Sequence, residues 1–96
     1  MYARITKYRM KPESLNDATA LVEELMPEIK ALPGVLQFIN VCNDDGNGYI
    51  VSIVDSQANS DANQERVRAI WSRFADYLAE MPTPEGYNVL FNERNG

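Results

Sequence analysis

The feature that most constrains this chain is a pair of neighbouring apolar segments, residues 35–42 and 49–54, separated by a run of Asn, Asp and Gly. β-Branched and aromatic residues on either side of such a run predict a β-hairpin. In both segments the apolar residues occupy odd and even positions alike, as Val35, Leu36 and Ile39 illustrate. Because successive side chains of a strand point to opposite faces of a sheet, we expect neither face of this hairpin to be exposed to water.

Two further regions predict helices. Apolar residues recur every three or four positions within residues 18–32 and again within residues 67–81, ending at Met81, which is typical of amphipathic helices. Pro27 predicts a kink or an early end of the first helix near Met26, since proline cannot donate the backbone hydrogen bond of a helix interior. The second helix is expected to begin within residues 59–63, where several side chains are able to cap a helix.

Strands are also predicted near both ends of the chain, at residues 2–10 and 87–91, where β-branched and aromatic residues are frequent. The resulting order, β-α-β-β-α-β, is the ferredoxin-like arrangement of the α+β class. Its right-handed crossovers place two helices on one face of a four-stranded antiparallel sheet. A length of 96 residues allows a single domain, residues 1–96.

The predicted sheet has more apolar surface than its helices are able to cover. Two helices shield one face, whereas the hairpin is apolar on both. We therefore expect a second copy of the chain to cover the other face, sheet against sheet, in a two-fold homodimer. The alternative is a monomer with an unusually apolar exposed sheet, although large exposed apolar patches are uncommon on monomers.

Composition and charge exclude several classes of function. Nine Lys and Arg against fourteen Asp and Glu give a net charge of −5, so nucleic acids and anionic membranes are not expected partners. The chain has no histidine, the commonest metal ligand and general base, and no metal site is predicted. No apolar run is long enough to span a membrane and no secretory signal begins the sequence, which predicts a cytoplasmic location. Cys42, the one cysteine, is expected to be a buried and inert thiol.

Residues 8–13, 31–34 and 55–58 read Tyr-Arg-Met-Lys-Pro-Glu, Ala-Leu-Pro-Gly and Asp-Ser-Gln-Ala. In this order and at these distances they resemble the antibiotic biosynthesis monooxygenase-like (ABM) dimeric α+β barrels, and the resemblance extends over residues 2–91. It implies a homodimer whose sheets close into a barrel, with a small hydrophobic or aromatic molecule held between sheet and helices. Some members oxygenate aromatic polyketides without metal or flavin, and others have no known activity. The resemblance therefore implies a cofactor-independent monooxygenase or, alternatively, a non-catalytic ligand-binding or assembly protein, with no cofactor in either case.

The same resemblance implies catalytic candidates on the second helix. Anthrone-oxidising members carry a tryptophan there and a tyrosine six residues later, and Trp71 and Tyr77 match this pair. Those members also carry an asparagine one turn before the tryptophan and an arginine near the last strand, where this chain has Val67 and Phe91. Residues six apart lie ~120° apart around a helix, so the spacing does not require both to face one pocket. The alternative interpretation is that Trp71 packs in the core and Tyr77 flanks it.

The first strand and the hairpin supply the candidate ligand-binding residues. Ala3 and Ile5 fit the side of the sheet covered by the helices, so the residues of opposite parity are expected to face the barrel interior. In the hairpin, Gln37 and the asparagine three residues later have opposite parity, so one of the two should point inward. The predicted ligand-binding residues are Arg4, Thr6, Tyr8 and Asn40. Those from the first strand are expected either to line a binding site or to bond to one another at a dimer interface.

Overall fold

In the computed structural model, which describes residues 1–95, four antiparallel strands form one sheet. The strands are β1 (Tyr2–Arg9), β2 (Val35–Cys42), β3 (Asn47–Val54) and β4 (Thr83–Asn88), in the spatial order β2-β3-β1-β4. Within the same residues, the connections carry three α-helices, α1 (Leu15–Lys30), α2 (Gln57–Ala62) and α3 (Gln64–Ser72). The predicted ferredoxin-like α+β fold is confirmed.

Helix α1 runs through Pro27 and continues to Lys30, so the early end predicted near Met26 does not occur. Pro27 removes one N–H group from the helix, but the Ala31 N–H completes the next turn by donating to the Pro27 carbonyl oxygen at 3.1 Å. The apolar stripe of α1 is anchored by Leu25, which is 1% exposed. Packing of this stripe on the core offsets the missing hydrogen bond.

The second helical region begins earlier than predicted, with the short helix α2. The Ser56 side chain caps α2 by accepting a hydrogen bond from the Asn59 N–H at 3.2 Å. Asn63 separates α2 from α3, and its side-chain amide donates to the Pro33 carbonyl oxygen at 2.8 Å. The predicted single helix is therefore two helices, because Asn63 bonds to the chain that enters β2.

The apolar periodicity continues beyond the end of α3, but the helix does not. After Ser72 the backbone turns tighten to three-residue spacing, as in the Phe74 N–H that donates to the Trp71 carbonyl oxygen at 2.9 Å. Leu78 then forms an isolated bridge with Met10 at the end of β1, which holds this segment against the sheet. Phe74 and Leu78 are buried as the spacing predicts, whereas the predicted core position of Met81 is wrong, since Met81 is 52% exposed.

Strand β4 lies earlier in the sequence than the predicted strand at residues 87–91. It occupies an edge of the sheet and pairs with β1, so it accommodates Pro84, which has no N–H to donate to a second neighbour. The apolar residues used for the prediction mostly fall after the strand. Leu90 and Phe91 are 88% and 87% exposed.

Side chains of β1 alternate between a face under the helices and a face turned away from them. Arg4 bonds to residues of α2, and the Tyr8 ring contacts the Trp71 ring on α3, so the even-numbered side chains lie under the helices. Ala3 and Ile5 consequently lie on the opposite face, and their predicted place beneath the helices is wrong. The prediction assumed that the apolar side chains of β1 lie beneath the helices. It failed because the space between sheet and helices holds polar as well as apolar side chains.

The sheet face turned away from the helices, called the outer face below, is largely apolar. Directly paired residues in antiparallel strands share a face, and the registers place on it the apolar residues Ala3, Ile5, Ile39, Val41, Tyr49, Val51, Ile53 and Tyr87, together with the polar residues Lys7, Arg9, Gln37, Asn47, Thr83 and Glu85. Val41 is 52% exposed and Tyr49 is 46% exposed. No element within residues 1–95 covers this face.

Cys42 is exposed at the end of β2, so the prediction of a buried thiol is wrong. The prediction failed because the last residue of an edge strand has a neighbouring strand on one side only.

Across residues 1–95, every helix is too short or too polar to cross a membrane.

Candidate functional site

A cavity of about 480 Å³ lies between the helix-covered face of the sheet and the helices. Its sheet side is formed by side chains such as Phe38 and Ile50, and its helical side by Val22 of α1 and Val67 of α3. The cavity exists because α1 and α3 approach the sheet without filling the whole space over its centre. Most of the wall is apolar, and a few polar side chains project from β1, β2 and the α2–α3 region.

Tyr8 and Asn40 form the polar pair at one end of the cavity. The Tyr8 hydroxyl donates to Oδ1 of Asn40 at 2.6 Å, and the Val41 carbonyl oxygen lies 3.2 Å from the same hydroxyl. Burial raises the pKa of Tyr8, and the neighbouring Cys42 thiol raises it further. The phenol therefore stays protonated and acts as a neutral hydrogen-bond donor.

Gly48 makes the approach of Tyr8 to Asn40 possible. It lies on β3, the strand between β1 and β2, directly opposite Tyr8 in the register. A side chain at this position would begin 2.5 Å from the Tyr8 hydroxyl. With no side chain there, the Tyr8 ring crosses β3 to reach β2.

Trp71 forms the wall of the cavity next to Tyr8. Its ring centroid lies 5.7 Å from that of Tyr8 and 6.0 Å from that of Phe74, with both ring pairs tilted. The Trp71 side chain comes from the last turn of α3 and is 8% exposed. It therefore belongs to the core cluster and lines the cavity at the same time.

Arg4 marks the other polar end. Its Nε atom donates to the Ser60 hydroxyl oxygen at 3.1 Å, and its Nη2 atom lies 3.0 Å from Oδ1 of Asp61. The guanidinium also stacks over the Tyr2 ring, 5.8 Å from its centroid. Tyr8 follows Arg4 by four positions along β1, so the two ends lie about 13 Å apart at the usual rise of a strand. Thr6, between them, is 3% exposed.

The structure brings together five of the six residues that the sequence proposes. Arg4, Thr6, Tyr8, Asn40 and Trp71 all line the cavity. The sixth is a tyrosine in the turns after α3: Tyr77 is not a lining residue, and its carbonyl oxygen accepts from the Lys11 N–H at 2.8 Å. Because α3 ends before this residue, the helical spacing that relates it to the tryptophan does not apply.

Sequence reasoning missed six polar lining residues, which are Ser52, Ser60, Asn63, Gln64, Arg68 and Thr83. Ser60 and Asn63 lie where the sequence predicts a helix cap. A serine or an asparagine at such a position is able either to cap a helix or to line a cavity, and the residue type alone does not distinguish the two roles. Arg68 is exposed, and an arginine on an amphipathic helix ordinarily belongs to the solvated face. The preceding residue, Val67, belongs to the apolar stripe of α3, and this stripe indicates that this part of the helix lies over the sheet.

The chemistry available in the cavity is hydrogen bonding, desolvation and positive charge. Among the described residues, the lining includes no Asp or Glu, and its charged members are Arg4 and Arg68. Hydroxyl and amide groups supply donors and weak acceptors, but no lining group is a strong base at neutral pH. The site is therefore suited to orienting a bound molecule and excluding water from it.

No protein-family profile matches the chain, and no curated protein sequence matches it. Solved structures do match. A Nitrosomonas europaea protein of unknown function, NE2512, superposes with a TM-score of 0.81 at 14% identity, covering 99% of this chain and 94% of its own. An antibiotic biosynthesis monooxygenase superposes with a TM-score of 0.75 at 17% identity, covering 94% and 99%. A second Nitrosomonas europaea protein, provisionally named an antibiotic biosynthesis monooxygenase, gives 0.78 at 16% identity, covering 94% and 90%. These likenesses confirm the predicted resemblance at the level of structure: the chain has the ferredoxin-like fold of the antibiotic biosynthesis monooxygenases.

Proposed function

We propose that this protein is a homodimer that binds a small, largely apolar or aromatic molecule in the cavity between sheet and helices and oxygenates it without a cofactor. The cavity is the observation that carries the proposal. Its volume of about 480 Å³ lies within the range of small-molecule sites, roughly 300–1,000 Å³. Apolar walls with polar groups at two ends are what an aromatic ligand with polar substituents requires.

The homodimer is supported by the outer face. Ile39, Val41 and Tyr49 form part of a continuous apolar surface that no element within residues 1–95 covers. A second copy would cover it with the same residues, as a two-fold interface does. The sheet would then be shielded by helices on one side and by its partner on the other, which matches the composition of both faces.

Oxygenation without a cofactor needs a substrate that itself supplies the electrons. A CH₂ group loses a proton, the carbanion adds to O₂, and the resulting hydroperoxide loses water to leave a carbonyl group. One oxygen atom enters the product and the other leaves as water. In this cavity the Trp71 wall would hold the aromatic body, while the side-chain N–H of Asn40, held in place by Tyr8, would donate a hydrogen bond where negative charge develops. The catalytic roles of Trp71 and Tyr77 stay predictions.

A second candidate function is ligand binding without catalysis. The observation that favours it is the absence of a carboxylate from the cavity lining among the described residues, since such a group would be the natural proton acceptor here. The protonated state of Tyr8 removes another possible base. The substrate would have to ionise with no more help than positive charge and hydrogen-bond donors provide.

Anthrone, an apolar tricyclic compound with an acidic CH₂ group, tests both functions. We expect native mass spectrometry to show a dimer with one anthrone per chain, and an oxygen electrode to record one O₂ consumed per anthrone above the uncatalysed rate. Binding without added O₂ uptake would support the non-catalytic function, and an absence of binding would contradict both.

A pair of neighbouring substitutions locates the bound molecule. Val67 lines the cavity, whereas Arg66 lies outside it on the exposed side of α3. Val67→Phe fills part of the cavity and should weaken anthrone binding at least about tenfold, a change of about 1.4 kcal/mol. Arg66→Phe should leave the affinity unchanged. Equal effects of the two substitutions would place the ligand elsewhere.

A further inference from the structure

The charge of the cavity lining is opposite to the charge of the whole chain. The chain carries a net charge of −5. Of the described residues that line the cavity, the charged ones are Arg4 and Arg68, and both are positive. A ligand that enters this cavity therefore meets cationic groups on a protein that otherwise repels anions.

One of the two guanidinium groups is neutralised and the other is not. Arg4 forms an ion pair with Asp61 at 3.0 Å, and its side chain is 17% exposed. Within residues 1–95, the ion pairs are those of Arg4 with Asp61 and of Arg73 with Glu28, so Arg68 has no carboxylate partner. Asp61 neutralises Arg4, so the positive charge of Arg68 remains at the cavity.

The other polar groups that line the cavity near these arginines are uncharged. Ser60 already accepts from Arg4, and Asn63 and Gln64 add amides to the lining at the start of α3. Arg68 follows Gln64 by one helical turn and precedes Trp71 by three residues on the same helix. Arg68 therefore lies near the aromatic wall, whereas Arg4 marks the other end of the cavity.

We propose that the cavity selects organic anions, namely an aromatic body that carries one carboxylate or other anionic oxygen group held by Arg68, with Arg4 adding to the positive potential of the cavity. The inference rests on the proposed function, because it names the class of ligand for the same cavity. The aromatic body packs against Trp71, and the anionic group accepts charge-assisted hydrogen bonds from the Arg68 guanidinium group. A neutral ligand of the same shape leaves the positive charge of Arg68 without a partner.

The test compares 2-naphthoate with 2-naphthamide, which share one aromatic body and differ in charge. Binding to the full chain is measured by calorimetry and by the indole N–H resonance of Trp71, the one tryptophan of the chain. We expect naphthoate to bind about tenfold more tightly and to shift this resonance, and the preference to weaken as salt screens the charges.

Arg68→Met should abolish most of the preference for naphthoate, and Arg4→Met should reduce it. Arg66→Met is the matched control, because it removes the same charge from the same helix at a position outside the cavity. Arg68 is exposed, so its substitution should not prevent folding. Equal binding of both compounds with a shift of the Trp71 resonance would overturn the selection of anions and leave ligand binding intact. Failure of both compounds to shift it would overturn the ligand-binding proposal as well.

Discussion

The Tyr8 hydroxyl on β1 donates a hydrogen bond to Asn40 on β2 at 2.6 Å, across the full width of the intervening strand β3. Residues on non-neighbouring strands bond in this way when the strand between them presents no side chain. Gly48 provides that gap. The pair closes one end of the cavity and links three strands through side chains in addition to the backbone ladder.

Gly48→Ala should disrupt this pair. The added methyl group would collide with the Tyr8 phenol and with the Val41 carbonyl oxygen, so either the ring or the strand must move. We expect the free energy of unfolding to fall by about 1–3 kcal/mol in urea denaturation, the usual cost of overpacking. Asn47→Ala, at an exposed neighbouring position, is the control and should change it by less than about 0.5 kcal/mol. A Gly48→Ala protein as stable as the unmodified chain would contradict the crossing geometry.

Tyr8 should make the protein less stable at alkaline pH. Its pKa in the folded state is raised above the ordinary value of 10.0, chiefly by burial, so the folded state holds this proton more tightly than the unfolded chain does. The stabilisation of the folded state that results from this raised pKa is complete below pH 10, and it is lost as the pH rises from there toward the folded-state pKa of Tyr8. Urea unfolding measured between pH 8 and pH 11 should show a steeper decline for the unmodified chain than for Tyr8→Phe. Parallel curves would mean that Tyr8 ionises as freely when folded.

Trp71→Ala should lower the free energy of unfolding by about 3–5 kcal/mol, because the indole packs against both Tyr8 and Phe74 as well as lining the cavity. Urea denaturation followed by circular dichroism measures the loss without relying on tryptophan fluorescence. A change below about 1 kcal/mol would show that the indole borders empty space more than it fills the core.

Tyr77→Phe should leave ligand affinity unchanged within about twofold, since Tyr77 does not line the cavity. Trp71→Phe, which keeps an aromatic ring but shrinks the wall, is the comparison and should weaken anthrone binding more than Tyr77→Phe does. Calorimetry on both proteins measures the difference. A large loss of affinity in Tyr77→Phe, with stability preserved, would restore this tyrosine to the site.

Charged residues on the outer face should separate the proposed dimer. Ile39 and Val41 are 41% and 52% exposed and would be buried by a partner sheet. The double substitution Ile39→Lys and Val41→Lys should shift sedimentation from twice 10.9 kDa to a single chain of 10.9 kDa. Ala20→Lys, on the exposed side of α1, is the control and should leave the dimer intact. An unmodified chain that sediments as a monomer at micromolar concentration would refute the dimer directly.

The order of strands and helices followed from local pattern, because turn-forming residues and apolar periodicity act over short stretches of chain. Residues 35–42 form β2 as predicted, and the two-faced hairpin correctly indicated an uncovered apolar sheet face. Element ends were less accurate. Pro27 was expected to kink or end α1 near Met26 and the last strand was expected at residues 87–91, although packing keeps α1 helical to Lys30 and the edge strand begins earlier and accommodates Pro84.

The sequence likewise predicted part of the side-chain placement within the site, and the tertiary structure decided the rest. Residue types in alternation identified Arg4, Thr6 and Tyr8 as one set, but they could not say that this polar set, and not Ala3 and Ile5, lies beneath the helices. That choice depends on the cavity, which arises only when helices dock on the sheet. The separation of Tyr77 from Trp71 is likewise a tertiary result, since α3 ends at Ser72 and the segment that follows is held against the sheet by the bridge between Met10 and Leu78. The sequence by itself determined the secondary-structure elements and their amphipathic surfaces, because these depend on short-range propensities. Only the tertiary structure decided which polar groups converge on the cavity, because that convergence depends on contacts between residues far apart in the chain.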